Sequence, residues 1–297
     1  MSIPSQPPEF VALGHITRDI QADGSFALGG TVTFAALTAY HLGLSAGIVT
    51  SADAELATGL ATALPSIAVH VSPSARSTTF ANRYHEGFRT QYLYARGADL
   101  SEQDIPPTWR DQAGIILFGP LAQEMRPEII THFPRRPGGL LAATPQGWLR
   151  RWDGDGRVWP TPWNEAERVL PALDVLILSH DDLLPFANGN RIEADALLTK
   201  WSLLVPLLVA TDGRDGATLF QHGQTRHFPA YPANELDPTG AGDVFAAAFL
   251  TSLYRHSDPA DAVDFANRVA AFSIEQIGIQ GIPTLAQITE ERKPQGT

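Results

Sequence analysis

Short runs of consecutive apolar residues recur along this chain, and each is followed by a stretch long enough for a helix. Apolar runs of this length, without alternation, are typical of strands buried on both faces. Their regular alternation with helical stretches predicts a mainly parallel sheet covered by helices on both sides. In such sheets ligands bind at the carboxyl ends of the strands. The runs lie at residues 10–16, 46–52, 114–120, 138–144, 174–179 and 206–213.

Two stretches break this pattern. In residues 16–28 the dipeptide Asp23-Gly24 interrupts alternating residues, and in residues 77–96 Glu86-Gly87 separates runs rich in Thr, Phe and Tyr. Turn dipeptides between such runs predict hairpins. We therefore expect one α/β domain over residues 1–297, with a small β lid built from about 16–28 and 77–96.

Composition limits the classes of partner. The chain has 297 residues, 44% of them hydrophobic, which is enough for the core of one large domain. Its net charge of −11 argues against a nucleic acid or an anionic membrane as the main partner. A phosphate site must therefore be built from backbone amides and a few basic groups.

Cysteine and targeting signals narrow the picture further. The chain contains no cysteine, which excludes disulfide scaffolds, cysteine zinc sites and thiol nucleophiles. Its first residues lack a secretory pattern, and its longest apolar run, at residues 203–210, is too short to span a bilayer. We expect a cytoplasmic protein.

The stretch "DPTGAGDVFAAAFL" at residues 237–250 carries the chemistry. Gly240 and Gly242 allow a tight turn, and an apolar helix is predicted from Val244 to Tyr254. The amides at a helix start favour an anion, and a carboxylate beside them could take a proton from a hydroxyl that attacks phosphate. Asp243 could also be an ordinary helix cap, but Gly-Ala-Gly is more than a cap requires.

"DPTGAGD" resembles the C-terminal signature of the PfkB, or ribokinase-like, carbohydrate kinases. Four further segments resemble that family in the expected order: "HITRD", "ALGGTVTFAALTAYHLG", "VATDGRDGATLF" and "ANRVAAFSIEQIGIQGIPT". The resemblance implies a ribokinase-like three-layer α/β sandwich with a mainly parallel central sheet and a small β lid. "TPQGWLRRWDGDGRV", "LSHDDL" and "SIEQIGI" are similar to the inositol kinase subgroup.

The resemblance also implies roles for single residues. Asp243 would be the general base. Because it would take the proton only late in the transfer, it needs no raised pKa. The catalytic anion hole would consist of Gly240, Ala241 and Gly242. The acceptor would be bound by Asp19, Gly29 and Gly30, with Thr31 and Thr33 beside them. The nucleotide side would consist of Thr239, Gly213, Gly216 and Asn267.

Each role has a structural alternative. Asp19 could be a turn residue, Thr31 a helix-start residue and Asn267 an exposed polar residue on a helix. Gly213 and Gly216 could form a turn without touching a ligand. The basic pairs at residues 135–136 and 150–151 are expected in solvated loops rather than as phosphate clamps.

The sequence departs from the family at two places. "SHDD" at residues 179–182 stands where many members carry N-x-x-E, so Asp182 is expected to hold Mg²⁺ through water. Phe34 replaces an Asn of the acceptor segment, which argues against ribose. The lid is short, which favours a monomer or a weak homodimer.

These features predict an ATP- and Mg²⁺-dependent kinase of a small sugar or polyol, with myo-inositol favoured. Activation by a monovalent cation stays open. A nucleoside kinase is the first alternative, with an apolar slot from Phe34, Phe88 and Tyr92. The second is a catalytically silent ligand-binding regulator, for which the altered "SHDD" is the main argument.

Overall fold

A computed structural model of the chain describes residues 6–289 apart from 22, 86, 87, 188 and 257, and describes no side chain of residues 84–89. The strands are β1 (Phe10–Leu13), β2 (Thr17–Ile20), β3 (Phe26–Gly29), β4 (Ala46–Ala52), β5 (Ala68–Pro73), β6 (Thr79–His85), β7 (Phe88–Ala95), β8 (Ile115–Phe118), β9 (Leu140–Ala143), β10 (Arg150–Trp152), β11 (Val158–Pro160), β12 (Val175–Ser179), β13 (Leu207–Thr211), β14 (Ala217–Gln221) and β15 (Gln224–Phe228).

The α-helices are α1 (Thr31–His41), α2 (Ala54–Ala63), α3 (Pro107–Gln112), α4 (Ala166–Val169), α5 (Arg191–Ser202), α6 (Ala241–Tyr254), α7 (Pro259–Ser273) and α8 (Leu285–Ile288). Short 3₁₀ segments lie at Glu102–Asp104, Pro127–His132, Pro145–Leu149, Leu170–Ala172, His180–Asp182, Leu184–Ala187, Gly213–Asp215 and Gly278–Gly281. Within the described ranges, no helix is both long and apolar enough to cross a bilayer.

A large central sheet has the order β15-β14-β13-β12-β9-β8-β1-β4-β5 over the described residues. The strands from β5 to β13 in this order pair in parallel, whereas β14 and β15 form an antiparallel edge. Each of the six apolar runs contains one of the parallel strands. The predicted mainly parallel sheet is therefore confirmed.

Helices cover both faces of this sheet, as strand β1 illustrates. Phe10 and Ala12 belong to one apolar core, Val11 and Leu13 to the other, and none of the four is more than 1% exposed. Successive side chains of a strand point to opposite faces, so an uninterrupted apolar run serves both cores. Helices α1, α2, α6 and α7 pack on the first face, and α3, α4 and α5 on the second. The three-layer sandwich is confirmed.

A second, small sheet has the order β3-β2-β6-β7. β2 and β3 form the first predicted hairpin, and its turn contains Gly24 in a left-handed conformation (φ 82°). β6 and β7 form the second hairpin, whose Glu86-Gly87 turn lies outside the described residues. The two predicted hairpins thus join into one sheet through parallel pairing of β2 with β6. That this sheet acts as a lid stays a prediction.

Buried polar groups attach the small sheet to the end of β1. The Glu124 carboxylate, which is 0% exposed, accepts the backbone N–H groups of His15 and Leu121 at 2.9–3.0 Å. The His15 ring lies between the Ala98 carbonyl, 2.9 Å from Nε2, and the Thr78 hydroxyl, 2.6 Å from Nδ1. Because a carbonyl only accepts, Nε2 carries the proton and Nδ1 accepts from Thr78.

The structure also contains a hairpin that the sequence did not predict. Strands β10 and β11 pair in antiparallel fashion within residues 150–160, which we call the docked hairpin. Its Gly156 carbonyl accepts the N–H of Leu93 on β7 at 2.7 Å. Trp152 and Val158 pack against a small apolar cluster that includes Leu93. The expectation of a solvated loop at residues 150–151 was therefore wrong, because three-residue strands around Asp-Gly-Asp-Gly carry almost no periodicity.

We expect Gly156→Ala to loosen the docked hairpin. Gly156 has φ +81°, and a Cβ there would lie 2.4 Å from the Leu93 carbonyl oxygen. The cost should be about 1–3 kcal/mol of unfolding free energy, measurable by urea denaturation. Gly154→Ala is the matched control, since a Cβ there meets no described atom within 4 Å. Equal losses in both variants would contradict the docked arrangement.

Candidate active site

A cleft opens at the carboxyl ends of β9, β12 and β13, opposite the start of α6. This is the edge at which ligands of parallel α/β sheets bind. Helix α6 begins at Ala241, three residues earlier than its apolar pattern predicts, so Asp243 lies inside its first turn. The lining residues are Thr144, Pro145, Gln146, Ile177, Leu178, Ser179, Asp182, Thr211, Gly242 and Asp243.

The start of α6 has the form of an anion site. Gly240 adopts a left-handed conformation (φ 78°), and in the described part of the chain no side chain caps the helix. The N–H of Ala241 bonds to the Pro238 carbonyl at 3.2 Å, while Gly242 is exposed in the cleft. An uncapped helix start presents amides and a partial positive charge to an anion. Gly242 thus faces the cleft at the start of the helix, and the role of Gly240, Ala241 and Gly242 as an anion hole stays a prediction.

Phe34 explains why the turn needs glycine at 240. Its ring lies against Gly240, where a Cβ would come within 2.4 Å of a ring carbon. Phe34 itself is only 3% exposed. Phe34 therefore packs against the turn formed by residues 240–242, which we call the anion turn. The nucleoside alternative assumed that Phe34 lines an open apolar slot, and its burial does not support that.

Asp243 is half-buried between several charged and polar groups. Burial raises the pKa of its carboxyl group to about 6. A hydrogen bond from Thr31 and the positive charge of Arg150 lower the pKa and so reduce this rise. The carboxylates of Asp182 and Asp19 raise the pKa further. The sequence analysis expected no raised pKa for Asp243, and the structure corrects that expectation. A pKa near 6 is closer to neutral pH than the pKa of an ordinary Asp, and a carboxyl group with this pKa is still mostly ionised at pH 7.

The residues predicted to bind the acceptor lie together. Asp19 on β2 accepts a hydrogen bond from the Thr17 hydroxyl at 2.9 Å. Gly29 is its neighbour on β3, where a Cβ would fall 2.1 Å from the Asp19 carboxylate. Gly30 begins α1 at φ +95°, against the His15 carbonyl. The Gly-Gly pair therefore permits close approach of two backbones and a carboxylate beside Asp243.

Thr31 and Thr33 are buried, at 1% and 0% exposure. The hydroxyl of Thr31 hydrogen-bonds to Asp243. The Thr33 hydroxyl donates to the carbonyl of Gly29 at 2.7 Å. Their side chains thus orient the base and the Gly29–Gly30 turn, and direct contact with an acceptor stays a prediction.

On the nucleotide side, Thr239 lies in the loop before α6, Gly213 and Gly216 lie in the turn after β13, and Asn267 lies on α7. Thr239 is exposed, and its N–H donates to the Asp237 side chain at 3.0 Å. The other carboxylate oxygen of Asp237 accepts the N–H of Gly278 at 2.8 Å. Asp237 therefore links the anion turn to the loop after α7.

Asn267 and Gly216 hold one backbone segment. Asn267 is 6% exposed, and its amide nitrogen donates to the Phe228 carbonyl at 3.1 Å. Gly216 (φ +99°) lies in the turn that begins at Gly213 (φ +51°). A Cβ on Gly216 would fall 2.1 Å from the Phe228 carbonyl oxygen. The alternative of an exposed Asn267 is wrong. Contact of these residues with a nucleotide stays a prediction.

Asp182 faces the cleft from the 3₁₀ turn after β12. Its carboxylate accepts the Ser179 N–H at 3.3 Å, so the Ser179–Asp182 pair closes the turn. Burial raises the pKa of Asp182, whereas Arg150 and a hydrogen bond from Gln146 lower it. Among the residues that the structure describes, no group of three or more His, Asp or Glu side chains could hold a metal directly.

Two residues of the site were missed. Arg150 is half-buried, and its charge lowers the pKa of both Asp182 and Asp243. Thr144 is 8% exposed, lines the cleft, and has a buried hydroxyl without a hydrogen-bond partner in the described residues. Both residues follow β9 in the chain. Their position after a strand of the predicted parallel sheet was the sequence feature that could have indicated a place in the site.

Comparison with known proteins finds a family match over part of the chain. The model of the pfkB family carbohydrate kinases matches residues 154–285, which include α6 and Asp243. This match covers somewhat less than half of the chain. The chain is also similar to inositol 3-kinase of Zea mays, at 28% identity over 58% of this chain and 43% of the relative. It spans about half the length of the curated relatives it matches.

Solved structures show the same fold. A pyrophosphate-dependent kinase of the ribokinase family, in complex with a pyrophosphate analogue and myo-inositol, matches this chain with a TM-score of 0.79 at 21% identity, covering 94% of this chain and 98% of the other. Ribokinase of Arabidopsis thaliana, in complex with ribose and ATP, matches with a TM-score of 0.69 at 18% identity, covering 95% and 98%. The ribokinase-like fold class is thereby confirmed.

The raised pKa of Asp243 predicts a pH-dependent effect on stability. Because the folded pKa (about 6) exceeds the ordinary value of 3.8, ionised Asp243 opposes folding above pH 6, and this cost disappears as the pH falls towards 4. Asp243→Asn should therefore gain about 1–2 kcal/mol in unfolding free energy at pH 8, and roughly half of this gain should remain at pH 5, which lies between the two pKa values.

Urea denaturation at both pH values measures this difference. Asp261→Asn, which removes an exposed carboxylate from the first turn of α7, is the control and should show no comparable gain. A variant Asp243→Asn that is less stable than the wild type at pH 8 would contradict the assigned environment.

Proposed function

We propose that this protein is an ATP-dependent phosphotransferase that phosphorylates a hydroxyl of a small sugar or polyol, with myo-inositol as the favoured acceptor. The observation that carries the proposal is Asp243 in the first turn of an uncapped helix. Asp19, Asp182 and Arg150 lie near enough for their charges to act on the pKa of its carboxyl group. This grouping supports a site in which a base, an anion hole and an acceptor-binding carboxylate act together.

The acceptor side suits neighbouring hydroxyl groups. The Asp19 carboxylate has several acceptor positions, and the Thr17 hydroxyl donates to one of its oxygens. It can accept further hydrogen bonds from two adjacent hydroxyls of a sugar or cyclitol. The bare backbone of Gly29 and Gly30 allows the acceptor to approach Asp243 closely.

Asp243 moves the proton in the proposed reaction. It accepts the proton of the acceptor hydroxyl as that oxygen forms a bond to the γ-phosphorus and the bond to the β,γ-bridging oxygen breaks, so that ADP leaves with the electron pair. Thr31 holds the carboxylate by its hydrogen bond. The amides at the start of α6 donate to the oxygens of the transferred phosphoryl group.

The residues present fit an anionic donor and Mg²⁺. The uncapped start of α6, the unpartnered Thr144 hydroxyl and Arg150 offer donors and positive charge on the donor side of Asp243. Asp182 would hold Mg²⁺ through water, as carboxylates commonly do. When bound, Mg²⁺ reduces the negative charge of the donor phosphates.

The comparisons support this acceptor class without fixing one member. Inositol 3-kinase of Zea mays is a relative in sequence, and myo-inositol is named in the complex of the structural relative. Ribose is named in the complex of the other structural relative. Their donors also differ, since one is pyrophosphate-dependent and the other is bound to ATP.

The alternatives lose support from particular residues. A nucleoside acceptor needs an apolar slot, and Phe34 is buried beneath Gly240 instead of lining one. A silent regulator has no use for a carboxylate held by Thr31 at a pKa near 6. Asp182 keeps a carboxylate in the cleft although "SHDD" departs from the family pattern.

We expect turnover with one acceptor from a panel of myo-inositol, ribose, fructose, fructose phosphates, adenosine, inosine and cytidine. Each acceptor is assayed with ATP and with pyrophosphate in the presence of Mg²⁺, and phosphorylated product is measured directly. Asp243→Asn should lower kcat about 10²–10⁴-fold, because the proton then has no acceptor.

Asp261→Asn serves again as a charge-matched control and should keep wild-type turnover. Product from a nucleoside and from no other acceptor would contradict a sugar or polyol kinase and support the nucleoside kinase instead. Absence of product across the whole panel, with acceptor binding still detected by calorimetry, would favour the silent regulator.

A further inference from the structure

We propose that the hydroxyl group of Thr144 binds the phosphoryl group that is to be transferred, by donating a hydrogen bond to one of its oxygens. The inference rests on the proposed function and deepens it, because it assigns a contact within that same site. The proton stays on the hydroxyl group, so the bonds that form and break are those of the proposed reaction.

Thr144 directly follows β9, at the carboxyl edge of the central sheet. Its backbone N–H donates to the Phe118 carbonyl at 2.9 Å, which holds it beside the end of β8. The residue lines the cleft together with Gly242 and Asp243, in a cavity of about 70 Å³. A cavity of this size surrounds one small group, so Thr144 faces the same space as the base and the start of α6.

The hydroxyl group of Thr144 has no hydrogen-bond partner among the described residues, although the residue is only 8% exposed. Two other hydroxyl side chains line the cleft. Thr211 donates to the Leu178 carbonyl at 3.4 Å, and Ser179 Oγ accepts a backbone N–H at 3.2 Å. A buried polar group without a partner costs free energy until a ligand satisfies it. Thr144 thus differs from both in having its whole hydrogen-bonding capacity left for a ligand.

Local structure does not use this hydroxyl group either. Thr144 is the N-cap residue of the 3₁₀ segment Pro145–Leu149, where a Thr side chain ordinarily accepts the N–H two or three residues further on. No such bond forms at this segment. The N–H of Gly147, three residues on, donates to the Pro120 carbonyl at 2.8 Å instead. The amide that the cap would bind is therefore already satisfied.

Gly119 lets the Thr144 side chain approach the start of α1. A Cβ on Gly119 would lie 3.5 Å from Thr144 Oγ1 and 2.6 Å from Thr31 Cγ2. Any larger residue at 119 would therefore occupy the space between the two threonines. Thr31 begins α1 directly after Gly30, which is proposed to bind the acceptor. Thr144 thus lies where the donor side of the cleft meets the acceptor side.

A hydroxyl donor in this place suits a phosphoryl group. Hydrogen bonds to charged acceptors are shorter and stronger than those to neutral ones. The transferred phosphoryl group spreads its charge over three oxygens, which need donors from more than one direction. The amides at the start of α6 donate from the helix, and Thr144 adds a donor from the sheet.

The test compares Thr144→Val, which removes the hydroxyl group and keeps the shape of the side chain, with Thr144→Ser, which keeps the hydroxyl group. With donor and acceptor identified by the panel, kcat/KM should fall about 10–10²-fold in Thr144→Val, the worth of one hydrogen bond to a charged group. Calorimetric affinity for that donor, ATP or inorganic pyrophosphate, should fall as well. Thr144→Ser should recover most of both losses.

Thr251→Val is the matched control. Thr251 is 1% exposed, and its hydroxyl group is also buried without a partner in the part of the chain that the structure describes. It lies on α6 eight residues beyond Asp243, about 12 Å along the helix axis. Both Val variants should keep or raise the urea midpoint, because each removes an unsatisfied hydroxyl group. Only Thr144→Val should lose turnover.

A loss of turnover without a loss of stability separates contact with the phosphoryl group from a merely structural role. Wild-type kcat/KM in Thr144→Val would overturn the inference and leave the proposed function intact. Equal losses in Thr144→Val and Thr144→Ser would overturn it, because the hydroxyl group would then not be responsible. Unchanged affinity for the donor in Thr144→Val would also overturn it.

The proposed function fails in a different way. A wild-type protein that neither turns over any acceptor nor binds ATP or inorganic pyrophosphate would overturn the proposed function, and the inference with it.

Discussion

The candidate site depends on the packing of Phe34 against Gly240. A buried aromatic ring fills the space that a side chain at 240 would need, and glycine alone accepts the left-handed turn above it. This contact starts α6 without a side-chain cap and directs its first turn into the cleft. The amides and the Asp243 carboxylate therefore meet the carboxyl ends of β9, β12 and β13.

Electrostatic conflict follows from that geometry. The fold brings Asp243 into a half-buried position near two further carboxylates, and the hydrogen bond from Thr31 and the charge of Arg150 oppose the rise in its pKa. Such an arrangement lowers stability at neutral pH, as functional sites often do. It also yields a base whose affinity for a proton suits a hydroxyl acceptor at neutral pH better than that of an ordinary Asp.

Much of the fold was accessible from the sequence, because buried parallel strands leave uninterrupted apolar runs such as residues 46–52 and 174–179. The anion turn was accessible as well, since Gly-Ala-Gly-Asp before an apolar run indicates a specific backbone conformation. These signals are local. They depend on neighbouring residues and not on distant partners.

What the sequence did not reveal depends on contacts between distant segments. Arg150 acts on the pKa of Asp182 and Asp243 from a hairpin that pairs β10 with β11 and contacts β7, far away in the chain. The hydroxyl of Thr33 and the amide of Asn267 are engaged by backbone carbonyls that no spacing rule identifies. The shift in the pKa of Asp243 likewise requires knowing which charges surround it.

The most direct test of the account is the pH dependence of kcat/KM for the phosphorylated acceptor between pH 5 and 8, which reports the ionisation of the free enzyme. The account predicts an acidic limb with a midpoint near 6, with the rate rising as Asp243 loses its proton. The limb should be absent from the residual rate of Asp243→Asn. A rate that stays constant through pH 6, or a variant that keeps the same limb, would contradict Asp243 as the base.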